Sequence, residues 1–159
     1  GDTIKFTSLK PYRIKITGRT KHFINVFGEE LVVENAEEAL KRACEKTRST
    51  WTEYTVAPVF MDGKRKGSHE WIIEFTQEPA DIDEFRDYLD DALKFLNSDY
   101  EAKRYHDMTL TKPILHVAKN GLFYRWLKEH NKLGGQHKIP RMSNERDFLE
   151  ELLALEKMT

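Results

Sequence analysis

Glu53-Tyr-Thr-Val-Ala-Pro-Val-Phe-Met61 and His69-Glu-Trp-Ile-Ile-Glu-Phe-Thr76 decide the fold, joined through Asp62-Gly-Lys-Arg-Lys-Gly-Ser68. The first run places Tyr54, Val56, Pro58 and Phe60 on one side and Thr55, Ala57 and Val59 on the other. The second places Trp71, Ile73 and Phe75 on one side. A period of two is the mark of a strand, because successive side chains point to opposite faces. Asp62-Gly63 is a turn signal, so the pair reads as a hairpin. Lys64, Arg65 and Lys66 at its tip have the charge to grip a phosphate. They also have the charge of a solvated tip that discourages edge pairing.

Outward from this hairpin the pattern changes to the helical period. Pro79 and Asp81 open a helix, with Asp81 as cap, Glu84 completing a capping box, and Ile82, Phe85, Leu89, Leu93 and Leu96 as one apolar stripe. Tyr100 to His106 is ambiguous. Leu110 to Val117 reads as a last buried strand. Asn120-Gly121 leads into a helix with Phe123, Trp126 and Leu127 on one face, ended by Gly134-Gly135. Gln136-His-Lys-Ile-Pro-Arg141 follows as a loop. Ser143 or Asn144 then caps a final helix, whose Phe148, Leu149, Leu152 and Leu153 point inward.

Toward the N-terminus, Thr3 to Leu9 and Tyr12 to Thr17 read as a hairpin turned at Lys10-Pro11. The second strand breaks at Gly18-Arg19. Glycine there permits a pivot, with Arg19 beside it to hold an anion or a ribose. The plainer reading is a turn and a surface arginine. Phe23 to Phe27 is a short apolar piece stopped by Gly28. Asn35, with Glu38 three residues on, predicts a capping box for a helix over 36–46. Strands, helix, two strands, helix, strand and two helices make an α+β fold: a mixed, mostly antiparallel sheet flanked by helices. No linker, internal repeat or low-complexity tract divides residues 1–159, so a single domain is expected.

Nine Phe, six Tyr and three Trp supply a real core. With 26 basic and 27 acidic residues and no basic block, the charge argues against nucleic acid or an anionic membrane as partner. Cys44 is the single cysteine, so there is no internal disulfide and no cysteine zinc site. A reducing, cytoplasmic setting fits. The chain carries no Walker loop, dinucleotide fingerprint, His-Glu-x-x-His or nucleophile elbow. Its six histidines show no i,i+4 pair and read as surface or strand residues. Lys138, in the glycine-led loop before Pro140 and Arg141, has the chemistry to neutralise phosphate or carboxylate charge. A lysine in a loop is also ordinary.

Several segments, in one order, resemble the C-terminal domain of the auxin-responsive Gretchen Hagen family of acyl acid amido synthetases. That family lies within the acyl-adenylate-forming superfamily, with luciferases and acyl-coenzyme A synthetases. The segments are Gly1-Asp2, Gly18-Arg19, Gly67-Ser-His-Glu-Trp-Ile-Ile-Glu74, Leu96-Asn-Ser-Asp-Tyr100 with Arg104 and Asp107, Lys119-Asn-Gly-Leu-Phe123, and Gln136-His-Lys-Ile-Pro-Arg141. The resemblance implies a mobile C-terminal domain whose large N-terminal ATP- and acyl-binding domain lies outside this chain. It implies a ligase that adenylates a carboxylic acid and joins it to an amino acid or other amine. ATP and Mg2+ would be held mainly by the N-terminal domain. It implies Lys138 at the substrate carboxylate and α-phosphate, Asp2 and Arg19 at the nucleotide, Gly18 at the hinge, and Gln136 and Arg141 as loop support. Gly28-Glu-Glu-Leu31 departs from the Asp-Lys-Thr of plant members, so no role of that lysine transfers. The expected partners are the N-terminal domain and small acyl acid and amino acid substrates. A stand-alone binding or interaction module on the same fold is the alternative.

Overall fold

The computed structural model of the chain describes residues 2–19, 23–134 and 138–158, with the backbone alone at 2, 3, 5 and 16–19. Its centre is the hairpin of β5 (Thr50–Val59) and β6 (Ser68–Gln77), antiparallel from Thr50↔Gln77 to Val59↔Ser68. The tip is the expected turn, with Arg65 N donating to Asp62 O at 2.8 Å. β7 (Ile114–Ala118) lies parallel to β6 on its other side, giving a mixed sheet in the order β5-β6-β7. Two further two-stranded sheets precede it. β1 (Asp2–Leu9) pairs with β2 (Tyr12–Arg19), and β3 (Phe23–Ile24) with β4 (Leu31–Val32).

Both faces of the three-stranded sheet are covered. Tyr54, Val56, Trp71, Ile73 and Phe75 pack against α1 (Val33–Thr47) and α2 (Ile82–Leu96). Ala57, Ile72 and Ala118 pack against α4 (Leu122–Glu129) and α5 (Asp147–Lys157). The α2 stripe buries Phe85, Leu89 and Leu93, each contributing about 1.5–3 kcal/mol. Between α2 and β7 lie α3 (Ser98–Arg104) and a 3-10 turn (Tyr105–Asp107), which resolve the ambiguous stretch. No helix among the described residues is long and apolar enough to cross a membrane.

Helix ends differ from expectation in three places, each for a physical reason. α1 starts at Val33, straight from β4, and Asn35 sits at its third position rather than at the cap. Its Oδ1 reaches back to accept from Val32 N at 3.4 Å. α4 stops at Glu129, before Gly134, because Asn131 takes the left-handed conformation (φ 54°) and Lys132 N closes onto Leu127 O. α5 is preceded by Arg146 with no side-chain cap. Asn144 instead ties the loop to β3, donating to Phe23 O at 3.0 Å and accepting from Asn25 N at 2.9 Å. Asp81 caps α2 as expected, accepting from Asp83 N and Glu84 N. β2 runs through Gly18 and Arg19 rather than ending before them. Its register shifts between Thr3↔Gly18 and Ile4↔Ile16, so the irregularity falls beside Gly18.

Candidate functional site

The loop from α4 to α5 is held unevenly. Residues 135–137, Gln136 among them, lie outside the described residues. From Ile139 on, nearly every residue is secured. Ile139 packs on the Ala57–Ile72–Leu149 cluster. Pro140 O accepts from the Thr55 hydroxyl at 2.6 Å. Arg141 O accepts from Val56 N at 3.0 Å, and Ser143 N donates to Val56 O at 3.2 Å. Met142 is buried and bridges Val56 in parallel. This limb therefore satisfies backbone groups on the edge of β5 that β6 leaves free.

Arg141 adds a second attachment, across to the other face. Its Nε donates to Glu53 at 3.2 Å and its Nη1 to Glu37 of α1. The guanidinium also lies 5.6 Å from the Tyr54 ring centre and 5.9 Å from that of Trp51. Burial opposes its charge, but the two carboxylates outweigh that and raise its pKa. An arginine so placed is a fastener, since its planar fork serves two carboxylates and two ring faces at once.

Lys138 stands immediately before this fastened limb and is exposed. Its backbone continues into residues fixed to the sheet, while its side chain faces solvent. An exposed cation thus stands beside a fixed edge. Gly18 lies in the β1–β2 hairpin, and the side chains of Asp2 and Arg19 lie outside the described residues. Among the described residues no group of three or more His, Cys, Asp or Glu side chains is arranged to hold a metal.

Two histidine–glutamate pairs, one buried and one partly exposed, escaped the sequence reading. His69 Nε2 meets Glu29 Oε1 at 2.8 Å, both side chains fully buried. Burial opposes the Glu29 charge; the His69 bond and the backbone N–H of Phe27 outweigh it and lower the carboxyl pKa. His116 Nε2 meets Glu70 Oε1 at 2.6 Å, and Arg146 Nη2 donates to the other Glu70 oxygen at 2.7 Å. The His116 bond lowers the Glu70 carboxyl, and the Glu70 bond raises His116. The partners are 40 and 46 residues apart, beyond any spacing motif.

The remaining motif residues hold the frame. Glu74 accepts from Gly121 N at 2.9 Å and Phe123 N at 3.4 Å, closing the N-terminus of α4. Gly67 lies under the Phe27 ring, where a Cβ would come within 2.5 Å of it. Asn97 Oδ1 caps α3 through Tyr100 N at 2.7 Å. Arg104 is buried against Asp90 and also meets Asp107.

The GH3 family C-terminal domain matches residues 34–147, well over half of the chain. No curated protein matches the sequence. Among solved structures, AtGH3.15 acyl acid amido synthetase in complex with 2,4-DB shares the fold at a TM-score of 0.70 and 18% identity, over 97% of this chain and 29% of that one. GH3.15 acyl acid amido synthetase does so at 0.68 and 18%, over 99% of this chain and 30% of that one. The chain thus spans less than a third of the length of these enzymes, and at such identity the likeness is one of fold. The family match over most of its length makes this chain a member of the GH3 family, as its C-terminal domain.

Proposed function

We propose that residues 1–159 are the mobile C-terminal domain of a cytoplasmic, ATP-dependent acyl acid amido synthetase, working with an N-terminal domain that holds most of the ATP, Mg2+ and acyl acid. In the first half-reaction a carboxylate oxygen attacks the α-phosphorus of ATP and pyrophosphate leaves. In the second, an amine attacks the acyl carbon, a new C–N bond forms, AMP leaves and the amine loses a proton. The first step brings two anions together, so a cation between them lowers its barrier. Lys138 is the residue for it. The observation that carries the reading is its placement: exposed, and one residue before a limb fixed to β5. A compact ammonium on a flexible stem suits a group that must arrive and leave. Asp2 and Arg19 are proposed at the nucleotide, and Gly18 as the pivot that reorients the domain between half-reactions.

The test is Lys138→Ala in the full-length enzyme. Acid-dependent pyrophosphate exchange is expected to fall about 10²–10³-fold, the range for one oriented electrostatic donor. Conversion of supplied acyl adenylate to amide should stay near the wild-type rate. Unchanged exchange would defeat the assignment.

A further inference from the structure

The limb that carries Lys138 is fixed at several points, and one of them is a buried side chain of β5. Thr55 is buried in the middle of β5, on the face away from Tyr54 and Val56. Its hydroxyl donates to Pro140 O at 2.6 Å, a short bond across 85 residues of sequence. Pro140 has no N–H to offer the sheet, so its carbonyl is the only backbone group through which it can pair. The backbone bonds of Arg141 and Ser143 to Val56 follow further along. Among the described residues, the Thr55 bond to Pro140 is therefore the polar attachment nearest in sequence to Lys138, two residues along the loop from it.

We propose that Thr55 is a positioning residue for Lys138: its bond to Pro140 O sets where the lysine leaves the edge of β5. This rests on the adenylation role of Lys138. A buried hydroxyl aimed at a carbonyl is rigid in a way a surface contact is not, because β-branching leaves Thr few rotamers and burial removes the competition of water. Arg141 secures the limb further from the lysine, through Glu37 and Glu53, and opposes its sliding along the strand. Displacement of a reacting group by about 1 Å costs on the order of 10²-fold in rate. Loss of one of several attachments should cost less.

The experiment uses the full-length enzyme and two assays, acid-dependent pyrophosphate exchange and conversion of supplied acyl adenylate to amide. Thr55→Val keeps the shape and deletes the donor. It is expected to lower exchange about 10-fold, mainly in kcat, and to leave the amide step unchanged. Thr55→Ser, which keeps the hydroxyl, should restore exchange. In a Lys138→Ala background, Thr55→Val should cost nothing further, because nothing remains to be positioned. Should Thr55→Val fail to fold, Glu37→Gln loosens the neighbouring Arg141 attachment from the partly exposed surface of α1 and should show the same pattern in weaker form. Equal losses with and without Lys138, or equal slowing of both half-reactions, would make Thr55 merely structural and overturn the proposal. Normal exchange in Thr55→Val beside impaired exchange in Lys138→Ala would overturn it and leave the proposed function standing. Normal exchange in Lys138→Ala would overturn both.

Discussion

Asp90→Asn should be among the most damaging single substitutions in this domain. Asp90 is buried on α2 and accepts four bonds: from Arg104 Nε at 2.7 Å and Nη2 at 2.8 Å, from the Tyr100 hydroxyl at 2.9 Å, and from Lys94 Nζ at 2.7 Å. Arg104 is itself buried, and its Nη1 donates to Leu110 O at 2.9 Å. The cluster thus fastens α3 and the approach to β7 onto α2. Asparagine has the same outline, but it removes the charge and turns an N–H toward the donors. Removing one partner of a buried ion pair costs about 3–5 kcal/mol, and the carboxylate left to Arg104, that of Asp107, is exposed. At roughly 2–4 °C per kcal/mol for a domain of this size, the melting temperature should fall by about 6–20 °C. Urea unfolding followed by tryptophan fluorescence measures it, with the midpoint lowered and the slope unchanged. Asp90→Leu with Arg104→Met removes both charges and should recover part of the loss. A drop below about 1 kcal/mol for Asp90→Asn would refute the reasoning, because the cluster would then contribute no more than an exposed pair.

Two other outcomes are expected. The Glu70–His116 pair should make stability depend on pH in both directions. The Glu70 carboxyl is lowered from its ordinary 4.5, so its contribution is full above that pH and is lost as pH falls through the lowered value. His116 is raised from its ordinary 6.5, so its contribution is full below 6.5 and is lost as pH rises through the raised value. The pair is therefore at full strength between about 4.5 and 6.5. His116→Gln should abolish the decline on the alkaline side, and a variant that keeps the decline would exclude His116 as its source. Gly18→Pro in the full-length enzyme should affect adenylation and amide formation unequally, by fixing φ at the proposed pivot. Equal effects on both rate constants would count against it.

Periodicity made the sheet and its helices legible. β5, β6 and α2 are long and strongly patterned, and their sides fall as Tyr54, Val56, Trp71 and Phe85 indicate. What was not legible depends on long-range pairing. Asn144 looked like a helix cap, but β3 offers it Phe23 O and Asn25 N, and it serves those instead. Gly134 does take a left-handed conformation, yet Asn131 had already ended the helix. His69 and His116 looked unremarkable because their carboxylates come from distant segments. Thr55 read as one side of a strand. Only the folded chain shows that its hydroxyl faces the loop that holds Lys138.

The motifs that carry the family resemblance divide by what their residues touch. Gly67, His69, Glu70, Glu74, Asn97, Arg104 and Gly121 are all engaged within the domain, at tight contacts, helix ends and buried ion pairs. Such residues resist change because each alternative leaves a buried group unmatched or a close contact violated. Keeping them keeps a frame, and on their own they would suit a binding module as well as an enzyme. Lys138 is different. It is exposed, and the structure secures its neighbours with Thr55, Val56, Glu37 and Glu53. A solvated surface lysine needs no such support, because water serves its charge in any position. A lysine that must meet two anions in one orientation does need it, since its contribution depends on where the ammonium stands when charge develops. The fixed limb beside an exposed lysine is thus the observation on which the proposed role of Lys138 rests.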